Sequence, residues 1–361
     1  MTVYNFNLLL GFEANGVDVA QAHRLQLFRS LGLDTRFVFT QWPNSDQLDY
    51  FLSKGYDYEE LLFAQLLFTD QQSAAPTLSP HELEEQLGLK TSQIIHETPS
   101  GRTYQLDEGE LLVFVYDKKD FSKVQFIEYF SGGYLLKRET YASTKLVTDY
   151  FILNYQNGHV LAELGRRVYH NLDGSVGLEE ILVNGKQRYL LQNEKLITHA
   201  ELMESFVKKL QLKANDIVIM DRASNMDFAR PLLEQESGAR LGLVFHSEHT
   251  FGNQPFSYEY YYPVKYAHRF DFMIVSTDLQ AKVLKESFEK EGKEAPRIYV
   301  IPVGSLKQLH YSEQDRKTTK VMTASRLIYS KRVDLAIRAV ALAHEKGGDI
   351  EFSIFGRGIE Y

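Results

Sequence analysis

The chain contains no cysteine. That absence excludes disulfides, thiolate nucleophiles and cysteine-ligated zinc, and it accords with a cytoplasmic protein. An excess of positive charge is missing as well. The 48 acidic residues outnumber the 40 basic ones, for a formal net charge of −8. The chain as a whole therefore has no attraction for nucleic acid or acidic lipid, and any anion has to be held by a local basic pocket. Long apolar runs are also absent. The stretch from Phe6 to Phe12 has no basic residue before it and is too short for a signal peptide or a membrane span. Leu8-Leu9-Leu10 reads instead as part of a buried first strand. There is no internal repeat and no low-complexity segment.

What is present suits a globular protein of two or three domains. The chain has 361 residues, enough to bury substantial cores, with 44% hydrophobic and 24% charged residues. Val3 to Leu10 is expected as a strand and Gly11 to Gly16 as a loop. A helix follows with Val17, Ala20, Leu27, Phe28 and Leu31 on one face, stopped by Gly32. Arg36 to Thr40 is the next strand, which makes a βαβ start. From about 75 to 195 the pattern changes to period-2 runs such as Leu111–Tyr116 and Val124–Phe130. Gly132-Gly133, Asn157-Gly158, Asp173-Gly174 and Asn184-Gly185 punctuate them, dipeptides suited to tight hairpin turns. An inserted antiparallel sheet is expected there. The α/β pattern then returns. Thr198-His199-Ala200-Glu201 is a capping box. Ile217–Met220, Leu241–Phe245, Phe272–Val275 and Tyr299–Ile301 are continuous apolar strands of the kind a buried parallel sheet uses. A polar linker is expected near 304–318.

The most informative segment is Ala324 to Asp334, read as strand, short polar loop and helix start. Arg326 and Lys331 sit five apart in that loop. A helix start offers free N–H groups and a positive dipole end. Arg adds a planar fork for phosphate oxygens and Lys a point charge. The pair makes either a diphosphate grip or a solvated basic loop. Gly16, ahead of the first helix, allows close backbone approach to a phosphate or simply a tight turn. His246 and His249 stand at and just past a strand end, where an imidazole can bond a sugar hydroxyl, a phosphate or an acceptor, or serve only packing. Glu248 between them reads as surface charge, and Asp334 as a first-turn charge. Tyr258, Tyr260, Tyr261 and Tyr262, with Phe256, read first as packing and second as a sugar-stacking surface.

The Ala324–Asp334 segment resembles the diphosphate-binding loop of retaining GT-B sugar transferases of the GT4 type. Met1–Leu8, Gly16–Ala22, Phe68-Thr69-Asp70, Phe245–His249 and Ile301–Leu306 extend the match. They resemble the glycosyltransferase A family of the accessory Sec system, a relative of the TarM and TagE type of teichoic acid α-glycosyltransferases. The resemblance implies an α/β GT-B fold with two Rossmann-like domains facing a cleft. The first, at 1–74 and 196–317, carries a β-meander insert at 75–195. The second starts at 318 and is truncated at 361.

It further implies retaining transfer of N-acetylglucosamine from UDP-GlcNAc to Ser/Thr of a serine-rich repeat adhesin. His246 is the catalytic candidate and His249 the second choice. Gly16, Arg326, Lys331, Gly356 and Gly358 are the donor-binding residues. No cofactor and no metal are expected, because the two cations neutralise the leaving UDP. A related non-catalytic subunit is the expected partner, in a hetero-oligomer contacted through the insert. The expected location is the cytoplasm, with peripheral placement at the inner face of the membrane left open. The family's paired-glutamate motif is missing from the sequence, so residues 1–361 alone are expected to lack transfer. Two alternatives stand beside this reading: a transferase acting on teichoic acid polyol phosphate, and a non-catalytic acceptor-binding subunit.

Overall fold

The computed structural model describes residues 1–7, 16–156, 158–183, 185–192, 195–221, 226–303 and 319–358. The expected Leu8–Leu10 continuation of the first strand, the Gly11–Asn15 part of the loop, Asn157, Asn184 and the 304–318 linker lie outside those residues. The chain divides into two compact units, Met1–Ser305 and Leu306–Tyr361.

The first unit opens with β1 (Thr2–Asn7), α1 (Gly16–Ser30), β2 (Asp34–Phe39), α2 (Ser45–Ser53) and β3 (Leu61–Phe63). Helix α3 (Pro80–Leu87) then leads into ten strands. These are β4 (Ile94–Thr98), β5 (Gly101–Asp107), β6 (Glu110–Tyr116), β7 (Val124–Ser131), β8 (Tyr134–Tyr141), β9 (Lys145–Gln156), β10 (His159–His170), β11 (Val176–Val183), β12 (Lys186–Leu191) and β13 (Leu196–Thr198). The α/β alternation resumes with α4 (His199–Lys209), β14 (Ile217–Met220), α5 (Met226–Glu234), β15 (Arg240–Val244), α6 (Tyr258–Lys265), β16 (Phe272–Val275), α7 (Asp278–Lys290) and β17 (Arg297–Val300).

Two sheets result. Seven strands run parallel in the order β17-β16-β15-β14-β1-β2-β3. Strands β4 to β13 form a ten-stranded antiparallel meander in chain order. The strand order of the parallel sheet reverses between β1 and β14, because the chain leaves after β3 and returns on the other side of β1. Beyond the carboxyl ends of the strands at such a switch point lies the usual ligand crevice of an open α/β sheet.

Local chemistry explains the elements. Thr198 and Glu201 form the expected capping box at the start of α4. Gly132 and Gly133 take φ of +58° and +84°, the left-handed pair that a two-residue hairpin turn demands. The near ends of the meander are anchored in the core of the parallel sheet, where Phe126, Val147, Tyr169, Leu178 and Tyr189 join Phe6, Phe39, Phe63 and Phe206. A buried Arg167–Asp149 pair at 2.5 Å ties β10 to β9. The far half of that hairpin has no such cover: Ile152 is 58% and Tyr155 72% exposed.

One expectation about α1 is corrected. Leu27 and Leu31 are exposed, and the residues turned fully inward are Asp18, Gln21 and Leu25. The helix presents polar groups to the interior because buried partners await them, as described below. The tyrosine cluster divides. Tyr260 is buried and stacked on Phe245 at 4.5 Å, whereas Tyr258 and Tyr261 are exposed.

The second unit contains β18 (Lys320–Ala324), a 3-10 turn at Tyr329–Lys331, α8 (Val333–Glu345) and β19 (Glu351–Phe355). The two strands pair in parallel, from Lys320 with Glu351 to Ala324 with Phe355. Among the described residues α8 buries none of its side chains. No helix among the described residues is long and apolar enough to cross a membrane.

Candidate functional site

Two clusters of charge stand out, one in each unit. In the first unit, β14 ends at Met220 and the next residue, Asp221, is 2% exposed. Its backbone N–H continues the sheet by donating to the Phe6 carbonyl at 3.1 Å. Its carboxylate receives four hydrogen bonds. Arg24 donates from Nη1 to Oδ2 at 2.7 Å and from Nη2 to Oδ1 at 3.0 Å. Gln21 donates from Nε2 to Oδ2 at 2.8 Å, and His246 from Nε2 to Oδ1 at 3.0 Å. Asn5 accepts from Arg24 at 3.1 Å, and Asn7 donates to Gln21 at 3.3 Å. The carboxyl ends of β1, β14 and β15 and one face of α1 thus meet in a single buried network at the switch point.

Electrostatics keep Asp221 ionised. Burial by itself would raise its pKa. The Arg24 charge, with hydrogen bonds from His246 and Arg24, outweighs burial and holds the carboxyl well below its usual range. The Arg24 guanidinium is likewise penalised by burial, and its pKa is nevertheless raised by Asp221. Removing one partner of such a pair strands an uncompensated buried charge.

His246 also lines a cavity of roughly 380 Å³ between the loop after β15 and the start of α7, together with Ser247, Glu248, Thr250, Thr277 and Gln280. The loop is held from two sides. Gln280 donates to the Ser247 carbonyl at 2.9 Å, and the Ser247 hydroxyl lies 3.0 Å from the Tyr260 hydroxyl. His249 has different surroundings. It is 1% exposed, edge-on to Phe245, with Nε2 3.2 Å from the Ser287 hydroxyl of α7. The two imidazoles direct their Nε2 atoms to different partners, Asp221 and Ser287. Glu248 is exposed and accepts a bond from Thr250. Gly16 is the exposed first residue of α1, and among the described residues nothing lies within 4 Å of the place a Cβ would take.

In the second unit the loop between β18 and α8 carries three cations, and they differ. Arg332 is bound to Asp334 at 3.0 and 3.1 Å and has a φ of +49°, in the left-handed region. Arg326 and Lys331 are exposed, and their side chains have no hydrogen-bond or ion-pair partner among the described residues. Gly356 and Gly358 stand against this same loop. Leu327 N–H donates to the Arg357 carbonyl at 2.7 Å, and Ser325 N–H to the Phe355 carbonyl at 3.0 Å. A Cβ on Gly356 would sit 1.9 Å from the Ser325 oxygen, and one on Gly358 1.9 Å from the Leu327 oxygen. Only glycine lets the two backbones approach so closely. The structure therefore gathers Arg326, Lys331, Gly356 and Gly358 in one loop pair, and His246 in a separate network with Asp221, Arg24 and Gln21.

Those last three were not singled out from the sequence as site residues. The available signal was a polar stripe, Asp18, Gln21 and Arg24, on a helix that a βαβ unit must bury, together with an Asp ending an apolar strand.

Comparisons with known proteins agree with this architecture. The family model described as the GtfA extended beta-sheet domain matches residues 96–193, within the meander. The GtfA subunit of UDP-N-acetylglucosamine–peptide N-acetylglucosaminyltransferase from Streptococcus parasanguinis is 32% identical over 372 residues, covering 100% of this chain and 72% of the relative. Two solved structures, the pneumococcal O-GlcNAc transferase GtfA in complex with UDP and GlcNAc and a GtfA/B complex, each superpose with a TM-score of 0.77 at 29% identity. Both cover 100% of this chain and 72% of the other. TarM superposes with a TM-score of 0.63 at 15% identity over 99% of this chain and 72% of its own, a likeness of fold alone.

Proposed function

The chain belongs to the GtfA-subunit family of UDP-N-acetylglucosamine–peptide N-acetylglucosaminyltransferases, and on that premise we propose that it serves transfer of N-acetylglucosamine from UDP-GlcNAc to Ser/Thr hydroxyls of an adhesin-type acceptor. The bond from sugar C1 to the diphosphate oxygen breaks and one from C1 to the hydroxyl oxygen forms, with retention at C1. The hydroxyl proton leaves with the diphosphate. Negative charge grows on the leaving group, so fixed donors aimed at it are the main source of rate.

The observation that carries this reading is that the Arg326 and Lys331 side chains have no partner among the described residues, beside the paired Arg332 and Asp334. An exposed cation pair, on a loop held in place by close glycine contacts and followed by a helix start, suits a diphosphate. No metal is needed in this scheme, since the two side chains supply its charge. Gly16 lies at the donor side of the first unit, and His246 acts on the sugar or the incoming hydroxyl. His249 serves the packing beneath it. The reaction is placed in the cytoplasm, where nucleotide sugars are held.

To test it, the protein expressed from its gene is incubated with UDP-GlcNAc, its partner subunit and a Ser/Thr-rich peptide, and the peptide is followed by mass spectrometry. Addition of N-acetylhexosamine with stoichiometric UDP release is expected. Transfer to a polyol phosphate and not to peptide would move the assignment to a teichoic acid acceptor. Absence of UDP binding would overturn the donor assignment.

The same reading assigns the partner contact to the meander. The exposed half of the β9–β10 hairpin, with Ile152, Leu153, Tyr155 and Leu161, offers apolar surface on a sheet extension. Substituting Ile152 and Tyr155 with Ser is expected to lower capture of the related subunit at least tenfold while leaving the unfolding temperature in place. Undiminished capture would place the contact elsewhere.

A further inference from the structure

We propose that Asp221, clamped by Arg24 and Gln21, is a positioning residue that holds His246 in its Nε2–H tautomer, so that Nδ1 accepts a hydrogen bond from a hydroxyl of the sugar being transferred. The inference rests on the transferase reading for the identity of the hydroxyl, and on geometry alone for the tautomer.

The geometry leaves one arrangement. A carboxylate is acceptor-only, and its two oxygens offer about four lone-pair positions. All four are used here: Oδ2 by Arg24 Nη1 and Gln21 Nε2, Oδ1 by Arg24 Nη2 and His246 Nε2. The acceptor-only carboxylate turns Gln21 Nε2 toward Asp221, which leaves Gln21 Oε1 to accept from Asn7. His246 Nε2 must therefore carry the proton. Arg24 is already the ionic partner of the carboxylate, at 2.7 Å, so the pairing of Asp221 does not require a charge on the imidazole. Nδ1 is then a lone-pair acceptor without a partner among the described residues, on a side chain that lines the cavity. Fixing one ring nitrogen so that the other has a defined role is the usual way a buried carboxylate directs a histidine.

An Asp221→Asn variant inverts the arrangement with little change in shape. Its amide oxygen should take the Oδ2 position, which has the two shortest bonds, at 2.7 and 2.8 Å. The amide nitrogen then faces His246 and donates to Nε2, and Arg24 Nη2 loses the acceptor it has at Oδ1. The proton moves to Nδ1, and the acceptor becomes a donor.

The experiment is 15N NMR of imidazole-labelled protein above the usual imidazole titration range, read for His246 by difference from His246→Gln, with kinetics alongside. The wild type should show the Nε2–H pattern and Asp221→Asn the Nδ1–H pattern. In the protein expressed from its gene, Asp221→Asn should lower kcat about ten- to hundredfold, the range for losing one hydrogen bond at a reacting site, with KM for UDP-GlcNAc nearly unchanged. Arg24→Lys, which keeps the charge and the tautomer but loses the fork, should lose less. A residue with only a structural role would reduce stability and leave the tautomer as it was. Should Asp221→Asn fail to fold, the wild-type and Arg24→Lys spectra decide. An Nδ1–H or doubly protonated His246 in the wild type overturns the proposal. If the tautomers behave as stated but no sugar transfer is found, the transferase reading fails and the tautomer assignment stands.

Discussion

The switch-point network of the first unit and the cation loop of the second handle charge in opposite ways. Asp221 and Gln21 are buried, the Arg24 and His246 side chains are mostly covered, and each of the four is bonded to another member of the cluster. Arg326 and Lys331 are exposed, with side chains unpartnered among the described residues, while their neighbour Arg332 is held by Asp334. Buried charge is tolerable only when paired, so the first arrangement has to be complete before any ligand arrives. Exposed charge costs little to leave open, so the second can keep its donors free for an anion. One region is pre-organised and the other is reserved.

That contrast separates stability from binding, and it can be broken from either side. The largest effect is expected from Arg24→Ala, which leaves Asp221 buried without its cation. It should cost about 3–5 kcal/mol in denaturant unfolding. A loss below about 0.5 kcal/mol would mean that the network is not a stabilising unit.

Arg326→Ala and Lys331→Ala should do the reverse. Stability should stay within about 0.5 kcal/mol, as for surface changes. UDP affinity by calorimetry should fall by about 1.5–3 kcal/mol for each, the range for bonds to charged groups. The double variant should lose less than the sum, because both groups share one diphosphate. Arg332→Ala is the control and should leave UDP binding nearly as it was, since Asp334 occupies that guanidinium. A critical Arg332 with a dispensable Lys331 would require the loop to be redrawn.

Gly356→Ala sharpens the same comparison from the backbone side. Its Cβ would meet the Ser325 oxygen at 1.9 Å, and neither backbone can yield without opening the loop. A loss of about 1–3 kcal/mol, the usual range for overpacking, is expected in UDP affinity or local stability. Hydrogen exchange at Ser325 and Leu327 would report it, and unchanged protection there would argue against the contact.

The smallest effect concerns His170 in the meander, 8% exposed, with Nε2 2.9 Å from the Thr148 hydroxyl. Burial pushes its pKa down, and the Lys145 charge adds to that. A depressed folded pKa means that the unfolded chain takes the proton first as pH falls. The contribution of His170 is therefore complete above the usual imidazole range, near pH ~6.5, and declines as pH drops through that value toward the folded pKa. Denaturant midpoints for His170→Gln should show a shallower decline over that window. An equal slope would assign the pH dependence to other groups.

Much of the architecture could be read from neighbouring residues. The capping box at Thr198 and Glu201, the Gly132-Gly133 turn and the apolar runs at Ile217–Met220 and Phe272–Val275 all depend on contacts a few positions apart, and the backbone follows them. The β18–loop–α8 segment was legible for the same reason, since Arg326, Lys331 and the helix start are close in sequence. The inward face of α1 was not. Leu27 and Leu31 satisfy a helical stripe as well as Asp18, Gln21 and Leu25 do. Only the position of Asp221, 197 residues from Arg24, decides which stripe is buried.

The sequence by itself therefore determined the kinds of elements, their order, the insertion of an antiparallel sheet into an α/β chain, and the cations of the loop between β18 and α8. Each of these is written in local periodicity, turn chemistry or adjacent side chains. Tertiary structure alone decided which charges are paired and which stay open. It brought the ends of β1, β14 and β15 together so that one carboxylate accepts from three distant side chains, and it set Gly356 and Gly358 against the backbone of the cation loop. Pairing between buried charges depends on distance in space, and no spacing along a chain encodes that until the strands are ordered in a sheet.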